Sequence, residues 1–460
     1  MDRSSVCGRS PWRWVPTLYF AEGIPYFIVN VISVIMFKNM GMSNGDIAMY
    51  TGLLYLPWTV KPLWSPFVDI LRTKRWWIVS MQMLIAVTFA LAAFSLPRPS
   101  AVDMEGGSTP VPLFAATLVI FWITAFASAT HDIAADGYYM IALDQRQQSF
   151  FVGIRSTFYR CASIFGQGVL VVIAGLLETR YADVPKAWTV TLVLCALLFG
   201  AVAIYHTFML PRVEGRSAGK GSDDNGGSGS GDLPGYTGAP SRPVSEIMRE
   251  FARTFATFFR KKHAGIAILF MLLYRLPEAF LVKMMNPFLL DPEEAGGLGL
   301  STESVGIVYG TVGVAALTLG GIVGGIAASR WGLKKSLWPM AASMTLPCLT
   351  FVYLSMAQPE NFFIINLSVF IEQFGYGFGF TAYMLYLIYF SQGEFKTAHY
   401  SLCTAFMALS MMLPGMVAGY LQEWLGYAGF FWMVIVCCAA TVAVTMFIRV
   451  DPSFGKESRK

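Results

Sequence analysis

The sequence predicts an all-α polytopic membrane protein, with twelve transmembrane helices in two pseudo-symmetric six-helix bundles. Three observations predict it. Of 460 residues, 55% are hydrophobic and only 13% charged, against about 25% charged in a soluble chain, and mean hydropathy is +0.55. The apolar runs are long and continuous, many near the ~20 residues that cross a bilayer as a helix. That excludes an open sheet, whose unpaired backbone groups find no partner in lipid, and a barrel, whose strands would be short and alternating. Acidic residues nevertheless sit inside four runs, at Glu22, Asp132, Glu278 and Glu372. These are the first, fourth, seventh and tenth, the pattern expected of two similar halves around a polar path.

The first half is expected to hold spans at Val15–Phe37, Ile47–Phe67, Trp76–Leu96, Pro112–Ala135, Phe150–Leu177 and Trp188–Leu210. The first run is too long for the core of a cleavable signal and is expected to stay as an anchor. Residues 211–263 break the pattern. Gly215–Pro243 is rich in Gly, Ser and Asp and reads as a flexible linker. Val244–Lys262 sets Ile247, Phe251, Phe255, Phe258 and Phe259 among Arg249, Arg253, Arg260, Lys261 and Lys262, a basic amphipathic helix on the membrane surface. The second half is expected at Ala264–Leu290, Val305–Ala328, Leu337–Met356, Phe362–Phe390, Ser401–Gln422 and Ala428–Ile448. The domains are therefore 1–210, 211–263 and 264–460.

Charge sets the orientation. Of the 33 Lys and Arg, 24 fall in the tails and loops on the side of the termini. The other side has only Lys38, Arg98, Arg180 and Lys186, so both termini are expected in the cytoplasm of a cell with this protein in its inner membrane. The remaining five, Lys61, Arg155, Arg160, Arg275 and Lys283, lie within spans. All cysteines but Cys7 lie in spans without ligand spacing, so neither a disulfide framework nor a zinc site is expected.

A weak repeat relates the halves. Leu18-Tyr-Phe-Ala-Glu22 matches Leu273-Tyr-Arg-Leu-Pro-Glu278, and short basic loops follow the second and eighth spans. Such repeats are typical of secondary carriers, with the site between them. Ionised groups are costly in hydrocarbon and are functional candidates when they persist there. Asp132 and Asp136 share one helix face, and two close carboxylates resist ionising together, which suits proton exchange. The plainer alternative is an ion pair with Arg155 or Arg160. His131 points about 100° away on the helix; it either titrates near neutral pH or is simply satisfied by a backbone or hydroxyl partner. Arg275, three residues before Glu278, can bridge it. Arg160 and Arg275, always charged and fork-shaped, are candidates for holding a substrate carboxylate, with Tyr274, Gln373 and Tyr376 as neighbouring substrate contacts. Lys61 and Lys283 are expected to snorkel outward. The glycines between the tenth-span aromatics, Gly375, Gly377 and Gly379, suggest close packing or a bend. Gly306 with Gly310, and Gly321 with Gly325, have the spacing of tight helix contacts.

The segment Gly325-Ile-Ala-Ala-Ser-Arg-Trp-Gly-Leu-Lys-Lys335 resembles the inter-helix loop signature of the major facilitator superfamily, with Ser329 where an Asp is usual. The first copy keeps Asp69 and its basic cluster but lacks the glycines. The resemblance implies two six-helix bundles alternating around a central cavity lined by helices one, four, seven and ten. It also implies gate loops at Asp69, Arg72, Arg75, Arg330 and Lys334. Closer still, the chain resembles the AmpG-type permeases. The segments are Ala21-Glu-Gly-Ile-Pro25, Lys61-Pro-Leu-Trp-Ser-Pro-Phe-Val-Asp69, Ala129-Thr-His-Asp-Ile-Ala-Ala-Asp136, Leu273-Tyr-Arg-Leu-Pro-Glu-Ala279 and Phe370-Ile-Glu-Gln-Phe-Gly-Tyr-Gly-Phe-Gly379. His131 stands where that family often has Gln, and the chain is expected to end after twelve helices where some members add more. The resemblance implies import of anhydro-muropeptides or the GlcNAc–anhydro-MurNAc disaccharide, with acetyl-CoA, carried by relatives, as the alternative. Glu22, Asp132, Asp136, Glu278, Glu372 and His131 would then couple protons or bond sugar hydroxyls.

Walker, GxSxG and HExxH patterns are absent, so transport is expected to be secondary and the protein not an enzyme. An intramembrane metal site on His131, Asp132 and Asp136 is the distant alternative. Expected partners are a small solute, protons and lipid. No nucleic acid and no cofactor are expected, the proton gradient is the energy source, and the protein is expected to be a monomer.

Overall fold

A computed structural model describes residues 10–98, 109–143, 145–212, 244–393, 396–451 and 454. The N-terminal half comprises α1 (15–39), α2 (44–71), α3 (Lys74–Ser95), α4 (Ala115–Ala142), α5 (145–181) and α6 (Val184–Met209). The C-terminal half comprises α7 (Ala264–Leu290), α8 (Thr302–Trp331), α9 (Leu333–Ala357), α10 (Phe362–Ser391), α11 (396–425) and α12 (427–447). Among the described residues ten continuous segments are long and apolar enough to cross a membrane. The last of them, His399–Phe447, is two helices, because Gly426 breaks it at φ 67° and ψ 170°, a conformation that glycine adopts without a Cβ clash. The α2 pair, Asn44–Leu53 and Leu56–Leu71, completes the set.

Short polar side chains start many of these rods. Ser43, Thr73, Asp183, Ser301 and Asn361 each accept a first-turn backbone N–H, satisfying donors that the helix itself leaves free. The surface helix is also present, at Val244–Phe259. Phe258 anchors it, fully buried among Phe390, His399 and Phe406. Lys261 Nζ donates to the carbonyls of Phe390 and Gln392 at 2.6 and 2.8 Å, a cation at the C-terminus of α10 where the helix dipole favours it. The preceding linker, Gly215–Pro243, lies outside the described residues.

One face gathers the ends of the chain. Tyr205 donates to the Arg13 carbonyl, Arg75 Nε to the Leu210 carbonyl, and Leu333 N–H to the Phe454 carbonyl. We call this the terminal face and its opposite the far face. On the far face the halves press together through α2 against α11 and α5 against α8. A Cβ placed on Gly419 would lie 1.8 Å from the Asn44 carbonyl oxygen, and one on Gly310 would lie 1.9 Å from that of Gln167. Gly45, Gly52, Gly175 and Gly306 are similarly crowded from across the divide. Gly306 and Gly310 thus make the tight contact expected of them. The second pair does not: nothing lies within 4 Å of a Cβ on Gly325, and Gly320 and Gly324 supply the close approach to α10 instead. The tenth-span glycines serve packing, with Gly375 and Gly379 against α9 and Gly377 against α8. Three helices at the divide carry π-helical stretches, Ile28–Ile32 in α1, Ile164–Leu170 in α5 and Gly306–Gly313 in α8.

Candidate functional site

Five charged side chains meet in the N-terminal half. Glu22 comes from α1, Lys61 from α2, Asp132 and Asp136 from α4, and Arg155 from α5. One carboxylate oxygen from each of the three acids lies within 4.8 Å of the others. The i, i+4 spacing puts both aspartates on one face of α4, and the cations insert between them and their surroundings. Lys61 Nζ bonds Asp132 Oδ2. Arg155 pairs with Asp136 at 2.8 Å, and Asp136 also accepts from the Tyr19 hydroxyl at 3.3 Å. The Arg155 guanidinium lies over the Tyr19 ring at 4.5 Å, a cation–π contact. Glu22 is the odd one: its Oε2 is buried without a hydrogen-bond partner. The cluster is not sealed, since the Asp136 and Arg155 side chains remain 34% and 32% exposed, whereas the far side is closed. Lys61 therefore does not snorkel outward as expected. It points inward, because a buried carboxylate is a better partner for an ammonium than the apolar surround.

Metal chemistry does not fit this set. His131 does not join it, and two of the three carboxylates already have their own cation. His131 is 1% exposed and bonds Gln82 Nε2 at 2.9 Å. Gln82 Oε1 bonds His206 at 3.0 Å, and His206 bonds Thr17 at 2.9 Å. His131 is one member of a polar chain linking α1, α3, α4 and α6, with the Gln82 amide as its partner.

The C-terminal acids sit apart from these. Glu278 of α7 and Glu372 of α10 are 1% and 2% exposed and feel one another's charge. Gln373 donates to Glu372 Oε2 at 2.7 Å, while neither oxygen of Glu278 accepts from a hydroxyl, amide or cation, and Glu372 is its hydrogen-bonding neighbour. The expected Arg275–Glu278 bridge is absent. Arg275 sits at the junction of the Ala264–Leu273 and Leu276–Leu290 segments, where the backbone turns its guanidinium to the Tyr376 hydroxyl. It lies 4.7 Å from the Phe380 ring centre, and its Nε is unpaired. Tyr26 of the other half lies in its field, so Arg275 and Tyr376 stand at the divide between halves. Tyr274 instead points into its own half, fully buried, with its hydroxyl on the Gly379 carbonyl at 3.2 Å. Arg160 reaches across to α8: a Cβ on Gly321 would lie 3.4 Å from its guanidinium, and no acid pairs with it among the described residues. Lys283 also stays inside, 6% exposed with an unpaired Nζ.

Among the described residues, no gate-loop side chain bridges the halves. Arg72 lies exposed over the Trp76 ring at 5.7 Å. Arg75 ties α3 to the end of α6 within one half. Arg330 and Lys334 are exposed, and the Asp69 side chain lies outside the described residues. The halves are bolted on the far face by residues the sequence did not single out. Lys38 of α1 pairs with Asp291 of α7 at 2.5 Å. Tyr427 donates to Asp291 at 2.6 Å, and the Asn44 amide reaches Gln422 at 2.7 Å and Tyr427 at 3.0 Å. Gly45 N–H donates to Glu423 at 2.7 Å. Asn39 bonds both Glu178 and Thr302, which bond each other at 2.6 Å. One signal was available. Lys38 and Asp291 close the first and seventh spans, the pair already related by the repeat, with opposite charges.

Two lobes locked on one face, around an embedded charged cluster that stays partly exposed, fit a membrane carrier. The family model for the Major Facilitator Superfamily matches residues 17–393, and the chain belongs to that superfamily: it is a transporter, not an enzyme. It is 23% identical over 443 residues to "Putative transporter AmpG 4" of Rickettsia conorii, covering 94% of this chain and 95% of that one. It is 22% identical over 440 residues to the anhydromuropeptide permease of Escherichia coli K12, covering 94% and 78%. The fold matches the crystal structure of a D-xylose–proton symporter with a TM-score of 0.66 at 12% identity, covering 97% and 98%. It also matches a bacterial homologue of the human lysosomal transporter Spinster, in an inward-facing unoccupied conformation, with a TM-score of 0.63 at 14% identity, covering 96% and 97%.

Proposed function

We propose that this protein is a proton-coupled importer of anhydro-muropeptides or of the GlcNAc–anhydro-MurNAc disaccharide. The substrate class follows the permease relatives. The coupling rests on one observation, the composition of the N-terminal cluster. Three carboxyls and two cations are electrically neutral only with one proton aboard, and uncompensated charge at this depth is costly. Glu22, whose Oε2 lacks any partner, is the carboxyl that carries it, with Asp132 and Asp136 held by Lys61 and Arg155. Loss of that proton makes the cluster net negative and strengthens its hold on both cations, which changes what the vestibule offers a solute. Glu278 and Glu372 form a second carboxyl pair on the seventh and tenth helices and share protons in the same sense. Arg160 and Arg275, which lack acid partners, hold the lactyl or peptide carboxylate of the solute. With the termini in the cytoplasm of the inner membrane, the bolted far face is the outer side and this state is the one that releases cargo inward.

Uptake of labelled GlcNAc–anhydro-MurNAc into proteoliposomes, with and without an imposed proton gradient, tests the reading. Gradient-driven accumulation is expected. Accumulation indifferent to the gradient removes the coupling, and uptake of acetyl-CoA in place of the saccharide replaces the substrate.

A further inference from the structure

Beyond the carboxylates, the divide holds a second polar place. Lys283 of α7 opens onto a small cavity between the halves lined by Asn30, Tyr55, Asn286 and Met411. A water centre has about 20 Å³ to move in it, room for one molecule. Lys283, Asn30 and Asn286 are 6%, 3% and 2% exposed. Nζ of the lysine and Oδ1 of both asparagines have no hydrogen-bond partner, and the nearest ring to the ammonium is Tyr55 at 5.9 Å. Buried polar groups in native proteins are almost always satisfied, and a buried cation without a counter-charge is strongly disfavoured. One water here can accept from Lys283 and donate to both amide oxygens, but it brings no counter-charge, so the ammonium calls for an anion in another state.

Position tells which state. Lys283 lies between Arg275 and the bolt at Asp291 along α7, and Asn30 lies one turn beyond Tyr26 along α1 toward the same face. When Lys38–Asp291 and its companions part, this cavity is the first cationic surface met below the bolt itself. Arg275 and Arg160 follow, so three cations without acid partners succeed one another along the divide. We propose that Lys283 forms the entry subsite for a carboxylate of the transported solute in the far-open state, with Oδ1 of Asn30 and Asn286 accepting from neighbouring hydroxyls of the same solute. This rests on the proposed function for the identity of the solute, but the subsite itself requires only an organic carboxylate.

The test compares wild type with Lys283→Met and Lys283→Arg in proteoliposomes, using GlcNAc–anhydro-MurNAc and its lactyl methyl ester as probes. Lys283→Met is expected to raise KM for the free acid by about tenfold or more, the range set by losing one charge-assisted contact, and to leave KM for the ester unchanged. Lys283→Arg is expected to keep KM for the acid close to wild type. Equal effects on acid and ester, or none on either, overturn the subsite. Should wild type carry neither probe, the muropeptide reading fails and the subsite is judged by sodium lactate, which must raise the melting temperature of purified wild type and not that of Lys283→Met. Absence of that difference overturns it. Lys283→Met is also expected to melt at or above wild type without ligand, since it removes an uncompensated buried charge; a much lower melting temperature would make Lys283 a structural residue and overturn the proposal.

Discussion

Replacing Asp291 with alanine should unbolt the far face. Asp291 accepts from Lys38 at 2.5 Å, from the Tyr427 hydroxyl at 2.6 Å and from the Asn44 amide at 3.2 Å. The Lys38 and Asp291 side chains are only 17% and 12% exposed, so water screens the pair weakly. Hydrogen bonds to a charged group are worth about 1.5–3 kcal/mol each, but the loss is partly recovered. Lys38 keeps Asn44 Oδ1 at 2.7 Å and the Asn44 amide keeps Gln422 at 2.7 Å, while Tyr427 can turn to water. A net loss of about 2–3 kcal/mol of far-closed stability follows, or roughly 30- to 150-fold in the equilibrium between states. Spin labels at Arg180 and Glu294, exposed on the far face of opposite halves, report it in a background where the exposed Cys161 is serine. The variant should move the label distances to longer values, and Asp291→Asn, which still accepts from Tyr427, should move them less. Identical distributions in all three proteins would mean that the glycine contacts alone hold this face, and the bolt argument would be wrong.

Other consequences are equally direct. Asp132→Asn should abolish gradient-driven accumulation while downhill exchange persists, because two acids and two cations are neutral with no proton to exchange; the lost Lys61 contact costs about 1.5–3 kcal/mol of stability. The double variant with Lys61→Met, again one acid in excess, should recover the melting temperature and some accumulation; full accumulation by Asp132→Asn alone would remove Asp132 from coupling. Gly310→Ala drives a methyl toward the Gln167 carbonyl and should cost about 1–3 kcal/mol in a thermal melt. Gly325→Ala, with open space around it, should gain about 0.4–1 kcal/mol, and equal effects would contradict the packing described. His131→Gln preserves a hydrogen-bonding partner for Gln82 and should leave uptake within about twofold with its pH profile unmoved; a displaced profile would return His131 to the coupling machinery.

Fold class was legible because lipid imposes a length and a composition on every span, so the rods emerge from hydropathy, and the α2 break and Gly426 hinge are the places where that signal blurs. The embedded acids were legible because charge in an apolar run stands out. Their partners were harder. Lys61 and Lys283 look alike in sequence, each a lone cation in a span, yet one finds Asp132 and the other finds nothing. That difference depends on how helices rotate against each other, which spacing along a single helix does not encode. Arg275 and Glu278 illustrate the same limit: three residues apart, they would face one another on a straight helix, but the helix breaks between Leu273 and Leu276. The far-face bolt was least visible because its members are ordinary loop and helix-end residues that gain meaning only when two halves meet.

The far-face seam has one more implication. Where α5 lies on α8 and α2 on α11, glycine main chain is one side of each contact, met by backbone at Gly175, Gly310 and Gly419 and by side chains at Gly45, Gly52, Gly168 and Gly306. Glycine has no rotamers to freeze, so docking such surfaces forfeits less side-chain disorder than an interdigitated joint would lose. With so little order to regain or surrender at each stroke, the polar fasteners around the rim, rather than the seam, decide how long the door stays shut.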